Sequence, residues 1–389
     1  MKRELSRLIA GQIFLHACMA GTRMAVPLLA LQQGFSAMAV GALLALFALT
    51  QVFLALPAGR FADRKGLKAP LTLSVAVAFT GVSLSAIWPI FPMLCVSALA
   101  SGGATGMAVI ALQRHVGRLA NGPAELKSAF SWLSIGPAIS NFLGPVLAGL
   151  MIDFAGPERA HETGFRVAFV LMAALPLLTL LCVRGVREKA SAVPAAPLEK
   201  KRVFDLLHQP MMLRLLGVNW LLSSCWDVHT FVVPLLGHER GLSASVVGTI
   251  LGAFAVAAAT IRVCLPWLSR HVHEYQIITT SMVCTAVLFG VYPFMPTPWA
   301  MGVCSVLLGL VLGAVQPMIM STLHQITPQH RQGEALGLRL MSINASSVLM
   351  PMLFGAAGAI AGVGPVFWVV GTAVGLGAHS AFKLRPRHP

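Results

Sequence analysis

Residues Gly59-Arg60-Phe61-Ala62-Asp63-Arg64-Lys65-Gly66-Leu67-Lys68 lie between two long apolar stretches and pack four cations, one acid and two glycines into ten positions. A connection this short cannot be a domain. Between runs long enough to cross a bilayer, it reads as a tight, charged turn on the side of the membrane where positive charge is retained.

The composition agrees. The 389 residues are 57% hydrophobic and 11% charged, with a mean hydropathy of +0.79, whereas a soluble domain carries about 25% charged residues. The net charge of +15 is spread through the connections between apolar runs, which makes it a topology signal and argues against a nucleic-acid partner. The seven cysteines all fall inside apolar runs without close pairing, so they read as small core residues, with no metal or disulfide role and no cofactor. Met1 to Arg7 and the run after it imitate a signal peptide, but that run extends to Leu31, carries Arg23 and lacks a cleavage site of small residues. It reads as a retained first helix.

Working outward from the decapeptide, twelve runs are long enough for a hydrocarbon layer of about 30 Å at about 1.5 Å per residue. The first six are Leu8 to Leu31, Ala37 to Ala58, Pro70 to Trp88, Phe91 to Gln113, Ser128 to Ile152 and Arg166 to Val183. The second six are Met211 to Leu236, Ser243 to Pro266, Tyr275 to Phe294, Pro298 to Ser321, Glu334 to Ile360 and Pro365 to Phe382. The basic residues fall almost entirely on one side. The opposite connections hold Arg159, Arg166 and Arg240 accompanied by Asp153, Glu158, Glu162 and Glu239. Both termini are therefore expected in the cytoplasm of a bacterial inner membrane. The Lys-, Ala- and Pro-rich stretch 187–210 reads as a cytoplasmic linker between an N-terminal bundle, 1–186, and a C-terminal bundle, 211–389.

The two bundles are related. Met24 to Ala48 aligns without a gap to Phe231 to Ala255, with about half the positions identical, including Pro27 with Pro234, Gly34 with Gly241, Ser36 with Ser243, Gly41 with Gly248 and Phe47 with Phe254. This is an internal duplication. The expected fold is an all-α membrane protein of twelve transmembrane helices in two pseudo-symmetric six-helix bundles, with a solute site near the midplane at the repeat interface.

In these respects the chain resembles the major facilitator superfamily over essentially its whole length. Gly59, Asp63, Arg64, Gly66 and Lys68 occupy the places of that family's loop between the second and third helices. The resemblance implies a cytoplasmic gate in which Asp63 meets the positive end of a helix and nearby arginines. In the fifth span, Gly144, Pro145 and Gly149 resemble the glycine-rich pattern of the family's antiporters, though Ser131, Ser140 and Ala148 stand where glycines belong. Small residues there also serve close helix packing. In the fourth span Ser97 to Gly106 is uncharged where many drug/proton antiporters of the family carry an arginine, which points away from that subtype.

Ionisable groups within spans are functional candidates, because each costs several kcal/mol unless it faces a wet cavity or a partner. Gln12, His16 and Arg23 share one face of the first span, and Asn219, Ser223 and Asp227 share one face of the seventh, its repeat partner. Arg23 reads as cavity-facing, the alternative being an arginine that snorkels outward. Asp227 either pairs with Arg23 or titrates as the proton carrier. His229 points to another face and reads as hydrated near the outer end of its span. Arg339 and Asn344 of the eleventh span, with Gln51, Asn141 and Gln316, complete the candidate lining. Arginines outnumbering acids favour an anionic solute, with zwitterionic and amphipathic compounds compatible.

The function expected is a secondary transporter, acting as a monomer in the lipid bilayer, that moves a small anionic or amphipathic organic solute by proton-coupled alternating access. The fifth-span pattern favours export. Proton-symport uptake, facilitated diffusion and a non-transporting sensor are the alternatives. An enzyme is not indicated: the histidines His115, His161, His208, His238, His271, His273, His324 and His330 mostly lie in connections, and no catalytic cluster or P-loop is present.

Overall fold

The structure is a computed structural model; it describes residues 2–119, 132–133, 135–156, 161–186, 203–268, 272–327 and 332–385. Almost all of this is helix. Twelve long helices follow one another among the described residues: α1 (Lys2–Gln32), α2 (Ala37–Lys65), α3 (Lys68–Ile87), α4 (Phe91–Leu119), α5 (Ile135–Phe154), α6 (Glu162–Val183), α7 (Pro210–Glu239), α8 (Ala244–Leu268), α9 (Glu274–Val291), α10 (Pro298–Ile326), α11 (Gln332–Ala361) and α12 (Val363–Phe382). Each expected span corresponds to one of them. Eleven are long and apolar enough to cross a membrane. The exception, α7, has 30 residues but carries Arg214, Asn219, Ser223, Ser224, Asp227 and His229, so its length spans while its composition does not.

The decapeptide corrects its first reading. Gly59 to Lys65 form the last turns of α2, and only Gly66 and Leu67 separate it from α3. Gly66 adopts φ 75° and its N–H closes on the Ala62 carbonyl at 3.0 Å, a conformation that a side chain opposes. Arg64, Lys65 and Lys68 are exposed while Ala62 and Leu67 are buried; the side chain of Asp63 lies outside the described residues. Of the stretch 187–210, residues 187–202 also lie outside, and Val203–His208 is a short 3₁₀ helix.

The duplication reappears in backbone geometry. Gly34 and Gly241 have φ 83° and 65°. In the first copy, the Gly34 and Phe35 N–H groups bond to the Leu31 and Ala30 carbonyls, and in the second, those of Gly241 and Leu242 bond to His238 and Gly237. Both are Schellman caps, in which a left-handed glycine satisfies the orphan carbonyls of the preceding helix. The next helices then start at equivalent residues, Ala37 and Ala244.

The chain forms two compact units. The first comprises Met1–Ala196 together with Gly237–Gly252, and the second Pro197–Leu236 with Ala253–Pro389. In the first, α1 packs on α5 and α6, α2 on α4, and α3 on α4 and α6. Small residues let the backbones meet. A Cβ on Gly144 of α5 would stand 2.5 Å from the Ala17 carbonyl oxygen and 2.6 Å from the Gly21 nitrogen of α1. Farther along α5, Gly149 lies against the backbone of Ala244 and Ser245, and the Pro145 carbonyl lies against Gly248 of α8.

That contact ends on a buried acid. Asp153, 3% exposed, accepts from the Ala244 N–H at 3.1 Å and the Ser245 N–H at 2.6 Å. Its carboxylate thus meets the free donors and positive dipole end of α8. This corrects the expectation that placed Asp153 in an exposed connection. The expected outer cation Arg166 is also engaged: it pairs with Glu162 at 2.8 Å and donates to the Ala86 and Ile87 carbonyls at 3.0 and 2.7 Å, capping the end of α3. In the second unit α9 packs on α10 and α12, and Glu274 accepts from Ser321 and Gln325 at 2.8 Å each.

Two stability outcomes follow. Gly144→Ala is expected to cost about 1–3 kcal/mol because the added methyl meets backbone from a neighbouring helix, while Gly59→Ala, with nothing within 4 Å of the new Cβ, leaves thermal unfolding in detergent nearly unchanged. Asp153→Ala is expected to cost about 1.5–3 kcal/mol through loss of bonds to a charged acceptor; an unshifted unfolding curve would show that water replaces the carboxylate.

Candidate functional site

The polar residues inside spans gather in each unit separately. In the first unit, Gln12, His16 and Arg23 follow one face of α1. Gln12 is buried, lies against Gly136 of α5, and among the described residues its Oε1 has no hydrogen-bond partner. His16 and Arg23 are half-buried, the Nδ1 of His16 is likewise without a partner, and the Arg23 charge acts on the His16 ring. Gln51 turns back to the Phe47 carbonyl of its own helix at 3.4 Å and packs on Gly106. Asn141 is half-buried on α5 beside Ser140, whose hydroxyl donates to the Ile13 and Gly136 carbonyls. No described hydrogen bond joins Gln51 or Asn141 to the α1 face.

In the second unit the candidates converge more closely. Asp227 of α7, 4% exposed, accepts from the hydroxyls of Ser346 at 3.2 Å and Ser347 at 3.4 Å on α11. Ser346 also bonds Ser224 at 3.1 Å. Two helices are thus joined by a carboxylate and three hydroxyls. Among the described residues, Asn219, 1% exposed, has neither amide atom paired, and Ser223 Oγ and Arg339 Nε are also buried without partners. An unsatisfied buried polar atom costs about 1–3 kcal/mol, so such atoms gathered on one face mark a surface suited to polar ligand groups.

Depth can be read from the register. Asn219 precedes Asp227 by eight residues and Arg339 precedes Ser347 by eight. In helices that cross in the same sense, amide and guanidinium therefore share a level, about 12 Å from the carboxylate at 1.5 Å per residue. Arg339 is 6% exposed. Arg262 is half-buried and donates to the Gly313 carbonyl at 3.3 Å. Gln316 and Asn344 are half-buried, and no described hydrogen bond ties them to the Asp227 cluster.

Several histidines depart from expectation. His229 is fully buried: its Nε2 meets Ser305 Oγ at 2.9 Å, Ser305 meets the Tyr292 hydroxyl at 2.8 Å, and the ring stacks on Phe254 at 4.1 Å. Sequence placed it in water because its partners, Phe254, Tyr292 and Ser305, stand 25 to 76 residues away. His115 lies within α4 and is buried against Glu4 of α1 at 3.3 Å, and His324 also lies within a helix, α10.

The fold and these polar faces can be set beside known proteins. The family model of the Major Facilitator Superfamily matches residues 8–302 and 218–389. The chain belongs to the major facilitator superfamily. It is similar to the multidrug resistance protein MdtG of Escherichia fergusonii, 26% identical over 342 residues, covering 84% of this chain and 80% of that one. It is also similar to the class B tetracycline resistance protein of Escherichia coli, 26% identical over 332 residues, covering 81% and 77%. Among solved structures, a variant of the nucleoside transporter NupG superposes with a TM-score of 0.78 at 14% identity, over 98% of this chain and 100% of that one. A POT family transporter in complex with 5-aminolevulinic acid gives 0.78 at 13%, over 98% and 96%. Superfamily membership makes the chain a multi-pass membrane transporter of small molecules and not an enzyme.

For this superfamily member, Ser346→Ala removes one donor to Asp227 and the partner of Ser224. The expected loss is about 1.5–3 kcal/mol in thermal unfolding, against little change for Ser342→Ala, which lies outside the cluster; equal effects would refute a shared network.

Proposed function

We propose that this chain is a proton-coupled exporter of small organic anions or amphipathic compounds, acting as a monomer by alternating access. The observation that carries this reading is the buried pairing of opposite chemistries in the second unit. Arg339 and Asn219 offer a cation and an amide at one depth, and Asp227 lies about 12 Å along the same helices. A guanidinium suits a carboxylate or similar anion. A carboxylate held by neutral hydroxyls, in a site that dries when closed, suits reversible protonation. In the first unit Gln12, His16 and Arg23 add donors and a second cation. The drug-resistance names of the relatives support export of organic compounds, and the bacterial relatives support placement in an inner membrane. The distribution of basic residues supports cytoplasmic termini.

The decapeptide enters this reading as the cytoplasmic gate, with Asp63 biasing which side is open. Gly59, Arg64, Gly66 and Lys68 frame it. Gly144, Pro145 and Gly149 supply the close packing of α5, and the stretch 187–210 links the two bundles.

The test is flux in proteoliposomes under an imposed pH gradient, with a panel of organic anions and amphipathic drugs. Arg339→Gln and Arg23→Ala are expected to weaken anion transport by about tenfold or more, the loss of one charge-assisted bond. Asp227→Asn is expected to abolish gradient-driven flux while leaving counterflow of labelled solute. Undiminished coupled flux in Asp227→Asn would remove it as the proton carrier, and gradient-independent flux in the parent would favour facilitated diffusion. Accumulation toward the acidic side's opposite would indicate uptake by symport, and binding without flux a sensor.

A further inference from the structure

A groove of about 500 Å³ opens on the first unit between α2, α3 and α4, within the size range of ligand sites. Leu54 and Phe61 of α2, Leu73 and Val77 of α3, and Val96 and Met107 of α4 line it. Leu54, Leu73 and Val96 are 43%, 45% and 37% exposed, so it faces outward from its own helices. Among the described residues the one polar side chain in its wall, Thr50, spends its hydroxyl on the Leu99 carbonyl at 3.2 Å. Nothing in the lining can orient a polar solute.

Its apolar lining and its rim identify an occupant. From Thr50 to Phe61 on α2, and from Val96 to Met107 on α4, the lining extends eleven residues, about 16 Å at 1.5 Å per residue. The groove face of α2 runs through Leu54, Ala58 and Phe61, and one further turn on that face brings Arg64 and Lys65, both exposed. Gly103 packs on Thr50 and Leu54, and Gly106 on Gln51. This register brings Arg114, on the same face of α4 as Met107, to the depth of Phe61. An apolar slot thus ends, on α2 and α4, in cations at the level of lipid headgroups.

We propose that the groove holds an acyl chain of an anionic phospholipid whose headgroup is taken by Arg64 and Lys65. Anionic headgroups attract juxtamembrane cations, and the apolar slot supplies the second anchor. This site shares no lining residue with the polar faces of α1, α7 and α11 and does not depend on what the protein transports.

The experiment is native mass spectrometry of the delipidated full-length protein, titrated with phosphatidylglycerol or phosphatidylcholine of identical chains. The parent is expected to retain one phosphatidylglycerol about 30-fold more tightly than phosphatidylcholine, the factor that two surface cations supply. Arg64→Gln with Lys65→Gln is expected to bring phosphatidylglycerol down to phosphatidylcholine. Val77→Trp, which fills the slot, is expected to lose both lipids, and Leu73→Trp serves if that variant does not fold. Equal retention of the two lipids by the parent, unchanged preference in the double variant, or undiminished retention with the slot filled would each overturn the assignment.

Discussion

Hydrocarbon offers no partner to a peptide N–H or C=O, so each segment that crosses it must satisfy its backbone internally and choose side chains that tolerate lipid. From that constraint come the twelve long helices, their short connections and the concentration of charge at their ends. It also makes exceptions legible. A helix such as α7, with an acid, four amide or hydroxyl side chains and a buried histidine, can cross only where other helices supply its polar partners. Here α11 supplies Ser346 and Ser347, and α10 supplies Ser305.

Packing between helices then rests on size more than on hydrophobicity. Lipid tails are as apolar as leucine, so close backbone approach must supply the attraction that water supplies elsewhere. Gly144 against α1 shows this, since even a methyl would meet backbone atoms. Gly59 shows the reverse: its Cβ would meet nothing, and its place in the family pattern is not explained by packing within α2.

Much of this was legible in the sequence because the signals are local. Span length, the one-sided basic residues and the duplication need only neighbours along the chain. Gly34 and Gly241 could be matched before any geometry was known, since a Schellman cap is closed by residues within one turn. The decapeptide was recognised but misread as a turn throughout, because its charges look like a connection while its helix continues to Lys65. Asp153, His229 and the two serines facing Asp227 were hidden for the opposite reason. Their partners are tens of residues away, and a serine or a lone acid near a span end carries no periodic signal. Asn219, Ser223 and Asp227 were found because four-residue spacing is itself a helical signature.

The strip Gly237–Gly252 belongs by descent to the second repeat and by packing to the first unit. Its Schellman turn shows that it was copied along with the helices around it, yet it seals Pro145, Gly149 and Asp153 of α5. The ancestral unit of duplication and the present unit of cohesion are therefore different objects. A first half expressed without this strip would present an uncapped carboxylate and a bare glycine ridge to lipid, so the two halves of the gene are not interchangeable modules.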